Sequence, residues 1–241
     1  MEWLDLTLST PAANLALDEA LLDDCESQAA RECLRFWEPE HPFVVVGYGQ
    51  QIAREAFAQH CRDDHVPILR RCTGGGTVFQ APGCLNYSLV LSLSLRPELV
   101  SVTRTNSYVM HALRDALAPL LPQRITVEGH TDLAMQRLKF SGNAQRRRRQ
   151  TILFHGTFLL SQFPLTTVGR YLRSPSLAPD YREGRRHEHF LTRLPIGAET
   201  IKATLRARWS AEEVARGDWP EGEVTRLVAT RYGLDEWIGR L

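Results

Sequence analysis

The chain reads as an α+β protein built on a mixed, largely antiparallel sheet flanked by helices. Three observations predict this class. Helical patterns occupy two long stretches, near residues 10–22 and 107–121; strand-like runs crowd the intervals between them; and the two alternate too irregularly for a doubly wound parallel sheet. A length of 241 residues supplies ample material for a buried core. We expect one domain over residues 1–241, with a small helical C-terminal part from about residue 197.

Taken in order, Thr10-Pro11 has the form of an N-cap followed by proline at the first helical position, opening a helix through Leu22. Its apolar positions are too crowded for an exposed helix. Leu34 to Trp37 and Phe43 to Gly47 read as two strands around a turn between Pro39 and Pro42, both entering the central sheet. Val66 to Leu69 reads as a short strand. Leu85, Tyr87, Leu89, Leu91 and Leu93 alternate with Asn86, Ser88, Ser92 and Ser94, the pattern of a half-buried strand. Val109, Leu113 and Leu117 repeat every four residues beside Ala112, Ala116 and Leu120, predicting a helix from about Ser107 to Leu121. Strand texture then returns from Ile125 to Leu160, with turn chemistry at Glu128-Gly129-His130 and at Ser141-Gly142-Asn143. Residues 174–189 read as an irregular Pro- and Arg-rich excursion, in which His187-x-His189 would share one strand face without the further ligands that a metal needs. Ser210-Ala211-Glu212-Glu213 has the form of a capping box opening a C-terminal helix.

Composition excludes some classes of function. A net charge of +1 gives no global field for nucleic acid, so any cationic function must come from local clustering. No apolar run approaches a membrane span, and Met1 to Asp5 lack the features of a signal peptide; the expected location is the cytoplasm. The five cysteines, Cys25, Cys33, Cys61, Cys72 and Cys84, include no C-x-x-C pair and are expected to be reduced.

Chemistry concentrates in two places. Arg70-Arg71-Cys72-Thr73-Gly74-Gly75-Gly76-Thr77-Val78 sets paired cations beside three glycines, which lay bare backbone amides for an anionic ligand. The glycines join two strands and match neither nucleotide-binding glycine motif that opens a helix. The second place is Asp132 followed by Lys139-Phe140-Ser141-Gly142-Asn143-Ala144-Gln145, where a strand holds a lysine before a Ser-Gly turn. Asp132 reads either as a backbone cap or as a carboxylate able to help bind Mg²⁺ beside phosphates. Two cationic sites, a glycine loop and one carboxylate suit a site that brings a carboxylic acid against a nucleotide phosphate, where cations neutralise two mutually repelling anions.

The order Arg-Arg-x-[Ser/Thr]-Gly-Gly-Gly-x-Val, Asp before Lys-x-Ser-Gly-x-Ala-Gln, then His155-Gly156-Thr157-x-Leu159 resembles the lipoate-protein ligase family, within the wider biotin/lipoate ligase and octanoyltransferase superfamily. Asn14-x-Ala16-x-Asp18-Glu19 and Val44 to Gln50 resemble it too, and agreement spans roughly residues 10–195. The resemblance implies a biotin/lipoate-ligase catalytic core. It implies ATP-dependent activation of lipoate or octanoate to an acyl-adenylate, with Mg²⁺, and transfer to a lysine of a lipoyl-carrier protein domain. By that resemblance Lys139 is catalytic and contacts the acyl carboxyl and α-phosphate. Arg70, Arg71, Thr73, Gly74, Gly75, Gly76, Thr77 and Val78 lie along the acyl-adenylate; Ser141, Gly142 and Ala144 belong to the lysine motif; Asp132 sits near magnesium or nucleotide; and His155, Gly156 and Thr157 line the pocket.

The chain departs from the family pattern at Gln80-Ala81, where a His-Asp pair is usual, at Thr131 for Asn, and at Gly83-Cys84 for Gly-Asn. It also carries no segment matching the accessory domain of larger ligases, which implies either a compact ligase or a separate accessory protein. Octanoyltransferases of the superfamily use a cysteine after the lysine motif, and no cysteine follows Cys84; a thioester route would need Cys72 or Cys84. The alternatives are therefore carrier-to-carrier octanoyl or lipoyl transfer and a non-catalytic lipoate-binding paralogue. Arg146-Arg147-Arg148-Arg149 reads either as a solvated strand edge or as a docking patch for an acidic carrier surface.

Overall fold

The computed structural model describes residues 1–27, 31–213 and 219–241. Its elements are β1 (Glu2–Asp5), α1 (Pro11–Ser27), β2 (Cys33–Trp37), β3 (Phe43–Val46), α2 (Ile52–Glu55), α3 (Ala58–Asp63), β4 (Ile68–Arg70), β5 (Val78–Gln80), β6 (Cys84–Ser92), α4 (Val102–Leu117), β7 (Ile125–Glu128), β8 (Asp132–Met135), β9 (Leu138–Arg147), β10 (Thr151–Leu159), α5 (Val168–Tyr171), α6 (His187–Phe190), α7 (Ala198–Arg208), β11 (Glu212–Glu213), α8 (Glu221–Leu227) and α9 (Asp235–Ile238). Eight strands form one sheet in the order β11-β1-β2-β6-β10-β9-β8-β7, and β4-β3-β5 form a second. In the large sheet β1 runs parallel to β2 and β11, and the other pairings are antiparallel. The mixed, largely antiparallel class read from the sequence is the class observed.

Each face of the large sheet has its own helical cover. The α4 stripe of Val109, Met110, Leu113 and Leu117 packs with Leu85, Tyr87, Leu89 and Leu91 of β6 and with Ile201 and Leu205 of α7. On the opposite face, α1 packs with Val90, Leu153 and Val224. The Thr10 hydroxyl accepts the Ala13 N–H at 3.1 Å, capping α1 where the Thr-Pro signal places its start. Residues Asn14 to Leu22 are all buried, the polar Asn14, Asp18 and Glu19 among them.

Several expectations are corrected. All nine residues of β6 are buried, because α1 and, at Asn86, Gln80 of β5 cover the Asn86/Ser88 face that alternation assigns to water. Strands β2 and β3 part company: β2 enters the large sheet, while β3 centres the small one, although the rings of Trp37 and Phe43 still stack at 6.3 Å. Helix α4 starts five residues earlier than its apolar repeat suggests, since the Ser101 hydroxyl accepts the Arg104 N–H. Ser141-Gly142-Asn143 lies within β9 rather than at a turn. His187 and His189 sit on the short helix α6, with His187 bonded to the Arg173 carbonyl. Ser210 follows α7 with φ of 47° and caps no helix. Glu212–Glu213 instead form the edge strand β11; residues 214–218 lie outside the described residues, and the next helix among the described residues is α8.

Glycine decides one close approach in the sheet centre. Gly156 lies in register between Tyr87 and Asn143, and a Cβ there would fall 1.7 Å from Asn143 Oδ1. Its absence lets the Asn143 amide cross to the Tyr87 hydroxyl, which donates to Oδ1 at 2.5 Å. Gly156→Ala should lower stability by about 1–3 kcal/mol. Gly169→Ala, where nothing lies within 4 Å of a new Cβ, should change it by less than about 0.5 kcal/mol. Urea unfolding of both variants checks the difference.

Candidate functional site

Register places the candidate residues in two rows on the α1 side of the sheet. Arg35, Ser88, His155 and Ala144 line up across β2, β6, β10 and β9. The next row holds Trp37, Asn86, Thr157, Gly142 and Asp132. Side chains two apart on a strand share a face about 7 Å apart, so what rests over Ala144 stands beside what rests over Gly142.

A β-bulge brings the lysine to this face. The β8–β9 register slips so that Leu133 opposes Ser141 while Ala134 opposes Lys139, leaving Phe140 as the extra residue. Phe140 drops into the α4-side core, and Lys139 emerges on the Asp132 face. Its Nζ lies 2.7 Å from Asp132 Oδ1. A Cβ at position 142 would meet Lys139 Cε and Nζ at 2.7 Å, so Gly142 is the floor over which the lysine lies. Tyr181, buried within the 174–189 excursion and packed on Phe190, donates its hydroxyl to Asp132 Oδ2 at 2.8 Å.

The two arginines before the glycines point opposite ways. Arg70 is fully buried and donates to the carbonyls of Gly47, Gln50 and Ile238 at 2.7–2.9 Å, with longer bonds to those of Tyr48 and Trp237. It ties the 47–50 loop and α9 to β4, with Nη2 left without a partner. Arg71 turns into the glycine loop, where its Nη2 donates to the Gly74 and Gly76 carbonyls at 2.6 and 2.8 Å and its Nε to Thr73 Oγ1 at 2.9 Å. Burial draws its pKa down to about 10. Gly75, at φ of 83°, lies over Ala144, and a Cβ on Gly47 would meet the Gly75 carbonyl at 2.0 Å. Gly74 and Gly76 border open space.

The loop is pinned to the sheet through a buried chain. Thr73 Oγ1 lies 2.7 Å from His155 Nε2, and His155 Nδ1 lies 3.1 Å from Asp18 Oδ2. Asp18 Oδ1 receives Arg35 Nη1 at 2.6 Å. Burial alone would raise the Asp18 pKa, but Arg35 and His155 outweigh it and hold the carboxyl below its usual range.

The structure thus brings together Thr73, Gly74, Gly75, Gly76, Ala144 and His155, beside Gly142, Lys139 and Asp132. It separates Arg70, Ser141 and Gly156 from them. Thr157 joins Gln80 and Asn86 in a buried amide–hydroxyl cluster, which is what the Gln80 departure builds. Thr77 keeps a buried hydroxyl without a hydrogen-bond partner, and Val78 is half-buried on β5. That orphaned hydroxyl, the open side of the glycines and the Lys139 ammonium fit an anionic group such as a nucleotide phosphate. Asp132 stands alone as a magnesium ligand here, with one oxygen accepting from Tyr181 and the other paired with Lys139. Among the described residues no three His, Cys, Asp or Glu side chains cluster to hold a metal.

The thiols are withdrawn from solvent, Cys72 among them although it directly precedes Thr73. All five cysteines are free and buried. Burial pushes the Cys72 and Cys84 thiols up to about 12. The arginine run is also committed inward. Arg146 donates to the Cys72 carbonyl, Arg147 to Leu99 and Thr105, and Arg148 to Asp23 and Glu19, leaving Arg149 exposed at the strand end. Sequence reasoning missed Gly47, Asp18 and Tyr181 as parts of the site. Asp18 and Gly47 lie inside segments that carry the family resemblance, whereas Tyr181 has no local signal.

Comparison with known proteins places the chain in a family. Residues 10–215 match the family model described as the lipoyl protein ligase A/B catalytic domain. A Schizosaccharomyces pombe protein provisionally named lipoate-protein ligase A is 38% identical over 167 residues, covering 69% of this chain and 42% of that protein. The chain spans about half the length of the first curated relatives it matches. The octanoyltransferase LipM of Moorella thermoacetica is 26% identical over 98% of this chain and 97% of its own length. In fold, the chain is similar to a structure from an archaeal lipoylation system, a bipartite lipoate protein ligase and its E2 lipoyl domain from Thermoplasma acidophilum. The TM-score is 0.82 at 20% identity, covering 100% of this chain and 96% of that one. No helix among the described residues is long and apolar enough to cross a membrane.

The thiol environment is directly measurable. Because the folded pKa of Cys72 and Cys84 is raised above the unfolded value of 9.0 to about 12, burying the neutral thiols stabilises the fold below pH 9 and that contribution is lost as pH rises toward 12. Native protein should therefore resist iodoacetamide at neutral pH and alkylate at all five cysteines in denaturant. Rapid native labelling of Cys72 or Cys84 would contradict this environment.

Proposed function

The chain belongs to the lipoyl protein ligase A/B catalytic-domain family, and we propose that it works as an ATP-dependent lipoate- or octanoate-protein ligase. In this reading the acid carboxylate attacks the α-phosphorus of ATP, pyrophosphate leaves, and the acyl group then passes from AMP to a lysine of a lipoyl-carrier domain. The observation that carries it is the placement of Lys139 beside the glycine loop, with the adjoining Cys72 thiol and every other thiol buried.

The steps follow from the residues. Arg71 and the Thr73–His155 bond hold the loop in shape, and its open amides and the Thr77 hydroxyl receive anionic oxygen. Lys139, held over Gly142 by Asp132, supplies positive charge where the acid carboxylate and the α-phosphate meet. The same ammonium then stabilises negative charge on the acyl carbonyl oxygen as the carrier amine attacks and AMP leaves. Magnesium would arrive on the nucleotide, with Asp132 the carboxylate placed to meet it. A partner chain supplying an accessory segment is consistent with the bipartite system among its fold relatives.

A second reading, acyl transfer from one carrier to another, is favoured by the likeness to LipM along nearly the whole chain. It needs a nucleophile to hold the acyl group, and the buried Cys72 and Cys84 are poor ones.

Intact-mass analysis of lipoyl-carrier domains separates the two. The expected result is a lipoyl or octanoyl adduct that requires ATP and the free acid. Cys72→Ala/Cys84→Ala should keep that activity, and Lys139→Ala should lower it at least about 100-fold. Modification from an octanoyl-carrier donor without ATP, lost in the double cysteine variant, would establish the transferase instead.

A further inference from the structure

The chain running from the glycine loop to α1 has a direction that donor and acceptor inventories determine. Arg71 Nε can only donate, so Thr73 Oγ1 accepts there, at 2.9 Å. At its other end the ionised Asp18 can only accept, and its Oδ1 is taken by Arg35 Nη1. The remaining Oδ2 faces His155 Nδ1 and requires a proton on that nitrogen. In the neutral ring Nε2 is then a bare lone pair, 2.7 Å from Thr73 Oγ1, and it takes the one hydrogen that the hydroxyl has to give. From Arg71 Nε to Asp18 each donor in this arrangement meets an acceptor, while Arg35 Nε stays without a partner.

We propose that Asp18 is a positioning residue for the glycine loop: its carboxylate selects the Nδ1–H tautomer of His155, and that tautomer pins Thr73, and with it Gly74 to Gly76, over the sheet. Arg35 fixes the carboxylate in turn. Its guanidinium is sealed from solvent and also donates to the Asn14 and Leu6 carbonyls and to Asn14 Oδ1, so Asp18 cannot rotate away from the histidine without breaking a buried network. Asn14, Asp18 and Arg35 thereby become parts of the ligand site without touching ligand. An asparagine at position 18 would offer His155 either an oxygen or an NH₂ group, and the tautomer would no longer be dictated. Asp18 and Arg35 stand outside the two chemical constellations read from the sequence, and the pinning role rests only partly on the ligase reading.

The first test needs no substrate. Two-bond ¹H–¹⁵N correlation spectra of ¹⁵N-histidine protein at mildly alkaline pH, with the His155 signals identified by their loss in His155→Gln, should show Nδ1 protonated and Nε2 bare. A predominant Nε2–H tautomer in the wild-type protein overturns the proposal whatever reaction the protein catalyses. Asp18→Asn should mix the two tautomers, and an unchanged Nδ1–H signature in that variant also overturns it.

The second test is kinetic. Thr73→Val, which removes the loop end of the chain and leaves the buried ion pair intact, should raise the KM for the acid about tenfold with kcat within about threefold. Thr73→Ser should restore it. Asp18→Asn should act alike, and the double variant should be no worse than either single one. Should Asp18→Asn fail to fold, the wild-type spectrum and the two Thr73 variants still decide. An unaltered KM in Thr73→Val rejects the pinning role, while the correct tautomer in a protein that modifies no carrier rejects only the ligase reading.

Discussion

A carboxylate on α1 and a guanidinium on β2, both withdrawn from water and 2.6 Å apart, set the geometry on which the rest of the site depends. Such a buried pair is a weak source of net stability, because desolvating two charges offsets most of their attraction, yet removing one partner typically costs about 3–5 kcal/mol. Its consequence here is registration. Arg35 lies in the cross-strand row that contains His155, so pairing with Asp18 fixes α1 over that row. The next residue, Glu19, anchors the other side of the same helix by accepting from Arg231 at 2.6 Å and from the Tyr232 hydroxyl at 2.7 Å. Asn14, Asp18 and Glu19 therefore work as three attachment points along one buried helix rather than as ligands.

A second constraint is backbone shape. Without the bulge at Phe140, strand alternation would send Lys139 and Asp132 to opposite faces. With it, residues 139 and 142 share a face, and the missing Cβ of Gly142 leaves room for the lysine. Gly47 and Gly75 solve the same problem for the loop, one by permitting close approach and one by adopting positive φ. Three glycines and one extra residue thus place a cation and a row of amides side by side.

The sequence shows much of this and hides the rest for identifiable reasons. Periodicity and the Thr10-Pro11 cap locate the main helices, and the mixed sheet follows from irregular alternation. It cannot tell that α1 covers the polar face of β6, because Asn86 and Ser88 look solvated until their buried partners are known. A motif containing Arg70 and Arg71 marks both as ligand contacts, although consecutive strand residues diverge and only Arg71 enters the loop. Ser-Gly within a strand reads as a turn, since local composition does not distinguish a bulge from a reversal. The Arg146 to Arg149 run looks like a surface patch, yet alternate residues reach inward to Glu19 and Asp23 on one face and to Leu99 and Thr105 on the other. Tyr181 is invisible to any local pattern, because its partner Asp132 lies 49 residues away.

The central question is whether these residues activate an acid with ATP. Acid-dependent exchange of labelled pyrophosphate into ATP, measured with lipoate and with octanoate in the absence of any carrier, tests adenylate formation alone. Exchange that depends on the acid and disappears in Lys139→Ala is the expected result. No exchange with either acid, from folded protein that still transfers an octanoyl group between carriers, would contradict it and assign the family's transferase chemistry to this site.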